Sequence, residues 1–315
     1  MQGDLRAWLD AAAGTDEEFV DRVWPLVLRR PPEPVGRERA LTKLREGTLS
    51  RARLLQELAE SDEFGQVALL DDGVARAAAE RARPLELGGP GRPRELHAPA
   101  GSDERAVEIP WSLARYRSER RVLDIGYAFA EPAYLAGLVH LGAVELIGVD
   151  LAEADVPGLR SVVADVRALP FPDASFDVAF CISTLEHVGS SQEPYGVEAD
   201  PAAGGIAEAL AEIRRVLSPR GYALVTVPCG AEQDHGWFVQ HDHAGWNRLF
   251  ENADLFVADQ ELYVLGPEGW RDGDDDGAAY GERGPGASAV LCSELHPGFF
   301  RHRLTSRAAR ALHRA

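Results

Sequence analysis

Three apolar runs in this chain end in an aspartate. Val122 and Leu123 lead to Asp124, the run 146–149 leads to Asp150, and the run 161–164 leads to Asp165. Short runs of this kind, rich in Val, Ile and Leu, read as strands buried on both faces. Two more follow at 176–182 and 222–227, and helical spacing fills 134–141 and 207–217. Strands alternating with helices predict a doubly wound α/β sheet with parallel strands. Such a sheet binds ligands outside the carboxyl ends of its strands. Three acids at successive strand ends therefore mark a ligand site.

The first of these ends opens the turn DIGYAFAEPAYL at 124–135. A dinucleotide fold needs glycine at three spaced positions, because pyrophosphate must lie on bare backbone at a helix N-terminus. Here the aligned residues are Gly126, Ala128 and Glu131. A carboxylate at the third position would crowd and repel a pyrophosphate, which argues against a nicotinamide oxidoreductase. At a spacing of two, the turn reads Asp124, Gly126, Ala128, Ala130. An acid followed by small residues suits a ligand with a cationic head lying against the backbone.

Before this region the pattern differs. Residues 1–83 read as an all-α domain. Thr15-Asp16-Glu17-Glu18 forms a capping box, after which Phe19, Val20, Val23, Leu26 and Val27 make one apolar stripe. Pro31-Pro32 stops that helix, a second spans about 37–45 before Gly47, and Ser50 caps a third bearing Leu54, Leu55 and Leu58. Residues 84–103, rich in Pro and Gly, read as a linker. The α/β domain then covers 104–296. A tail at 297–315 carries five arginines and no acid; it suits an amphipathic helix or a solvated end.

The net charge of −18, from 51 acids and 33 bases, argues against a general nucleic-acid partner, whose phosphates need neutralising. Cys181, Cys229 and Cys292 are an odd number with no metal-type pair, so a reducing cytoplasm is expected. No basic start with an apolar run suggests a signal peptide, and no run approaches the ~18 apolar residues of a membrane span. Nothing in the pattern sets an oligomeric state.

S-adenosyl-L-methionine (SAM) has the cationic head, ribose and adenine that three strand-end acids could hold. Asp150 could accept from both ribose hydroxyls and Asp165 from the adenine amino group. VLDIGYAFAEPAYLAGL, GVDL, VVADVRALPFPDASFDVAFCISTLEHV and IAEALAEIRRVLSPRGYALVTVP together resemble class I SAM-dependent methyltransferases, over about 108–264. The resemblance implies a Rossmann-like methyltransferase sheet and a transferase activity. It places Asp124, Gly126, Tyr127, Ala128, Asp150, Leu151, Asp165, Val166 and Cys181 at the cofactor. Ala128 and Ala130 depart from it, since glycines are common there. RAVEIPWSL at 105–113 and EGWRDGDDDGAAYG at 268–281 resemble methyltransferases of polysaccharide gene clusters, where Glu108 and Trp111 would fold over the cofactor. The N-terminal stretch EEFVDRVWPLVLRRPPEPVGRERALTKLREGTLSRARLLQELAESDEF resembles a small bacterial helical family of unknown function often fused to glycan-handling enzymes.

A hydroxyl acceptor needs its proton removed, and a neutral histidine is the usual base. His187 follows the fourth strand and is the first candidate; packing beside the cofactor is its alternative role. His241 and His243, in CGAEQDHGWFVQHDHAGW at 229–246, are further catalytic candidates. Aromatic rings beside polar groups there suit a sugar. Two histidines and an aspartate in one loop could take a divalent metal, but no ligand spacing supports one and none is assigned. Residues 190–205 read as a lid over the acceptor. The expected activity is O-methylation of a sugar hydroxyl on a glycan or glycoconjugate. Its rivals are methylation of a natural-product small molecule and a scaffold protein with a vestigial cofactor fold.

Overall fold

The computed structural model describes residues 14–28, 32–59, 61, 64, 98–197, 205–274, 277–284 and 286–298. The chain divides into two compact units, Met1–Asp72 and Gly73–Ala315.

The first unit contains α1 (Asp16–Leu28), α2 (Pro34–Arg45) and α3 (Arg51–Ala59). Its start is the expected capping box: Glu18 N donates to Thr15 Oγ1 at 3.2 Å and Thr15 N donates to Glu18 Oε2 at 2.9 Å. Two donors at the helix end are thereby satisfied. Pro34 sits in the first turn of α2, where its missing N–H costs nothing. The Ser50 hydroxyl accepts from Arg53 N at 3.2 Å and caps α3. Phe19, Val20, Val23 and Val27 pack on Leu41, Leu54 and Leu58 in one buried cluster. Thr15→Ala should cost this unit about 1 kcal/mol, read as a lower urea midpoint at unchanged slope. An unchanged midpoint would show that the cap contributes nothing.

In the second unit, β1 (Ala98–Pro99) and α4 (Arg105–Ala114) precede β2 (Arg121–Ile125). Then come α5 (Pro132–His140), β3 (Glu145–Asp150), β4 (Arg160–Val163) and β5 (Phe176–Ile182). They are followed by α6 (Ile206–Val216), β6 (Leu217–Pro228) and the short pair β7 (Gln233–Asp234) and β8 (Val239–Gln240). Last are α7 (His243–Asn252), β9 (Leu255–Gly266), β10 (Gly269–Asp272) and β11 (Ala289–Pro297).

One sheet runs β1-β10-β9-β11-β6-β5-β2-β3-β4. The five strands from β4 to β6 are parallel, as expected. The strand order reverses beside β2, with β3 on one side and β5 on the other, so the loops leaving β2 and β5 diverge and open a crevice. Beyond β6 the expectation of parallel strands is corrected. β11 inserts antiparallel between β6 and β9, and β9 and β10 form a hairpin. β9 escapes an apolar reading because Asp259, Gln260 and Glu261 lie within it. These polar groups have partners: Arg115 donates to Glu261 at 2.5 Å, and Gln260 donates to Ser293 at 2.9 Å.

The expected linker is also corrected where it is described. Ala98 and Pro99 pair with Trp270 and Gly269 at the sheet edge, so 98–103 belong to the second unit. Residues 84–97 and the tail 299–315 lie outside the described residues. Pro297 itself ends β11. Leu123, Ile147, Cys181 and Leu291 share one face of the sheet, where Leu210 of α6 and Trp246 of α7 complete the core cluster.

Candidate functional site

Asp124 ends the buried run of β2 and is only 1% exposed. Tyr134, one turn into α5, donates its hydroxyl to Asp124 Oδ1 at 2.5 Å. Asp124 Oδ2 has no hydrogen-bond partner among the described residues. Burial pushes this carboxyl up to about 7, with Asp150 adding to the shift and the Tyr134 bond opposing it. A buried carboxyl with one open oxygen is suited to a donor, above all a cation.

Two residues on, Gly126 has φ +88°. Its amide donates to Val149 O at 2.9 Å, and a Cβ here would fall on the Thr184 side chain. Thr184 follows β5 and donates to Ile125 O at 3.2 Å. The two chains therefore touch at the strand ends, beneath the crevice, before their loops diverge, and a side chain at 126 would wedge them apart.

Asp150 ends β3. Its Oδ2 accepts from Ala128 N at 3.0 Å and its Oδ1 from Ala152 N at 3.2 Å. Two backbone donors fix the carboxylate, and each oxygen keeps a lone pair for a ligand hydroxyl. Burial raises its pKa against these bonds. Asp165 is different. Arg167 reaches back two residues and donates to both oxygens, with Nη2 to Oδ2 at 2.6 Å and Nε to Oδ1 at 3.0 Å. The Arg167 amide also donates to Oδ1 at 2.9 Å, so Asp165 caps the 3-10 turn Val166–Ala168. Burial alone would raise this carboxyl; the Arg167 bonds and charge outweigh it and hold the pKa below the usual range. The Asp165 carboxylate is thus largely used within the chain.

These three strand ends open on one cavity of about 260 Å3. Gly126, Leu151 and Val166 line it as well, and so does Glu108 from α4. Glu108 Oε2 accepts from Ser183 Oγ at 2.7 Å and Thr226 Oγ1 at 3.1 Å. Burial, with Glu104 nearby, pushes Glu108 up to about 7.

Four expected cofactor residues do not line the cavity. Trp111 is fully buried, with Nε1 donating to Glu261 Oε2 at 3.1 Å and the Arg115 guanidinium 4.0 Å over its ring. It ties α4 to β9 rather than covering the crevice. Tyr127 is buried, and its hydroxyl bonds Ser161 and accepts from Ala154 N. Cys181 is in the core, and burial drives its thiol well above the usual range. Ala128 contributes through its amide on Asp150.

His187 lies in the 3-10 turn Leu185–His187 that follows β5, and it lines the cavity. Its Nδ1 faces Trp237 O at 3.0 Å. A carbonyl only accepts, so Nδ1 carries the proton and Nε2 keeps its lone pair. Nε2 stands 3.4 Å from Tyr195 Oη. Burial lowers the His187 pKa, and the Trp237 carbonyl opposes that shift less strongly. The ring is accordingly neutral at neutral pH. Aromatic side chains surround it: Tyr195 at 5.5 Å, Trp237 at 5.1 Å and Phe238 at 5.8 Å between centroids. Tyr280 extends the wall, 4.7 Å from Phe238.

The expectation for His241 and His243 is corrected. His241 Nδ1 pairs with Glu232 Oε2 at 2.7 Å, and His243 Nε2 meets Gln260 Oε1 at 2.5 Å. Neither lines the cavity. The cause is Asp242 between them, whose Oδ1 accepts from Gly245 N at 2.5 Å and starts α7. The two histidines flank a helix start, while Trp237 and Phe238 of the same loop line the cavity. Among the described residues no three His, Cys, Asp or Glu side chains gather as a metal would require. The segment expected as a lid contributes Gln192, Tyr195 and Val197 to the lining, and its residues 198–204 lie outside the described residues. Glu186, Tyr195, Phe238 and Tyr280 were not singled out from the sequence. Only Glu186 had a local signal, its place beside His187.

The family described as "Methyltransferase domain" matches residues 123–225. The one described as "Domain of unknown function (DUF4214)" matches residues 9–67. The chain is similar to EEF1A lysine methyltransferase 4 of Mus musculus, with 29% identity over 140 residues, 39% of this chain and 54% of that protein. The Bos taurus counterpart is 30% identical over 138 residues, 38% of this chain and 54% of that protein. The chain thus spans about half the length of the curated relatives it matches. Among solved structures, it resembles the 1,6-didemethyltoxoflavin-N1-methyltransferase of Burkholderia thailandensis, bound to 1,6-didemethyltoxoflavin and S-adenosylhomocysteine. That likeness has a TM-score of 0.41 and 15% identity, and covers 90% of this chain and 91% of that one.

Proposed function

We propose that this chain, whose residues 123–225 match the family described as a methyltransferase domain, is a class I SAM-dependent methyltransferase that methylates a sugar hydroxyl on a glycan or glycoconjugate. The observation that carries the reading is His187, a neutral imidazole whose unprotonated Nε2 faces Tyr195 Oη inside an acid-lined, aromatic-walled cavity.

The residues present suit the cofactor. Asp124, with its open oxygen, would take the ammonium head, and Asp150 the ribose hydroxyls. Gly126, with no side chain, lets Thr184 close against the turn beneath the cavity. SAM, when bound, supplies a methyl group on a sulfonium, a leaving group that needs no proton. The remaining work is to orient the acceptor, exclude water and remove the hydroxyl proton. The rings of Tyr195, Trp237 and Phe238 offer faces to a sugar ring, and His187 Nε2 receives the proton. The histidine rather than a carboxylate suits this step, because its neutral form is the dominant one near pH 7.

The pH profile follows with its sign. The base works unprotonated, and burial lowers its pKa from 6.5. Thus kcat/KM for the acceptor, measured with SAM saturating so that its ammonium holds Asp124 ionised, should be flat near neutrality and fall on the acid side, with a midpoint below about 6.5. A midpoint above that value would contradict the assignment. The reading as a whole is tested by supplying methyl-labelled SAM with glycan acceptors and locating the label by mass spectrometry. A methyl ether on a sugar supports it; label on nitrogen or carbon would overturn the oxygen assignment.

A further inference from the structure

We infer that the acceptor is a hydroxyl compound bearing an ammonium group, an amino sugar by class, and that Glu186 receives that ammonium. This rests on the methyl-transfer reading above.

The charges lining the cavity lead there. Its two cations are already engaged: Arg105 with Asp103 at 3.0 Å and Glu131 at 3.5 Å, and Arg167 with Asp165 at 2.6 Å. Setting those pairs aside leaves Glu104, Glu108, Asp124, Asp150 and Glu186 with no further arginine or lysine among the lining residues. The cofactor carries one net positive charge, from a sulfonium, an ammonium and a carboxylate. Asp124 and Asp150 suffice for it. Glu108 is occupied by two hydroxyl donors.

Glu186 keeps one oxygen open. It is 3% exposed, and its Oε2 has no hydrogen-bond partner among the described residues. It lines the cavity with Oε1 4.0 Å from His187 Nε2, next to the base. A buried oxygen without a donor costs free energy that an arriving donor restores. Burial drives this carboxyl well above its usual range, and an ammonium beside it would favour its ionised form.

The aromatic wall adds a second attraction, since ring faces draw cations when desolvated. Acids and rings share this space. Glu104, Glu186, Tyr195 and Tyr280 all line it. An amine held as ammonium has no lone pair, so it cannot itself take the methyl group. The neighbouring hydroxyl, facing His187, remains the nucleophile.

The test uses the full chain saturated with S-adenosylhomocysteine. Glucosamine and N-acetylglucosamine are titrated in by ligand-observed NMR at fixed salt. The amine should bind about tenfold more tightly, because acetylation removes the charge and keeps the ring. Glu186→Gln should abolish that preference while S-adenosylhomocysteine still binds. If that variant does not fold, Trp237→Leu at the cavity wall should lower the same ratio. Equal affinities, no binding of either sugar, or a preference that survives Glu186→Gln would overturn the inference. Tighter binding of Nα-acetyl-lysine amide than of glucosamine would overturn the amino-sugar class. Failure of S-adenosylhomocysteine to bind would remove the methyl-transfer reading and this inference together. Its binding alongside equal sugar affinities removes this inference alone.

Discussion

Replacing His187 with alanine should lower turnover about a hundredfold or more while S-adenosylhomocysteine affinity stays unchanged. Hydroxyls are poor nucleophiles until the proton leaves, and in the proposed reading Nε2 of the neutral His187 ring receives that proton. The ring also packs among Tyr195, Trp237 and Phe238, so a loss of rate has two possible sources. A split of kcat from KM separates them. Loss of the base lowers kcat and removes the acid limb of the pH profile. Loss of packing raises KM and leaves the limb in place. A near-wild-type rate would return His187 to a packing role.

Asp150→Ala should weaken S-adenosylhomocysteine binding by about 1 to 3 kcal/mol. The carboxylate has two tasks. It accepts from the amides of Ala128 and Ala152, holding the turns after β2 and β3 together. Its remaining lone pairs are the acceptors proposed for the ribose. Removal leaves donors unpaired on the protein and on the ligand at once. Asp150→Asn keeps one acceptor oxygen and should fall between the two. Calorimetry reads the effect directly; unchanged affinity in Asp150→Ala would mean the cofactor site is misplaced.

Much of this was legible in the residues, for identifiable reasons. β2, β3 and β5 are buried on both faces, so their runs are apolar and end sharply at polar residues. The capping box of α1 is a local pattern and needs no tertiary context. β9 was hidden because its polar residues are satisfied by Arg115 and Ser293, partners remote in the chain. Strand direction beyond β6 depends on where β11 inserts, which no local pattern encodes.

The site divides in the same way. Asp124 and Asp150 stand where strand ends put them. Asp165 also does, yet the arginine two residues on takes up its carboxylate, an effect of D-x-R spacing that could have been read. In the loop after β6, the cap made by Asp242 decides which residues line the cavity, and it excludes His241 and His243. The aromatic wall is drawn from Tyr195, Trp237, Phe238 and Tyr280. They come from three separate loops and share no periodicity, so only the fold brings them together.

The central claim is that the crevice beside β2 holds SAM. Calorimetric titration of the full chain with SAM, S-adenosylhomocysteine and NAD tests it most directly. Binding of both sulfur ligands at micromolar levels, with no heat from NAD, is the predicted result. Silence from both sulfur ligands, or binding of NAD in their place, would contradict it.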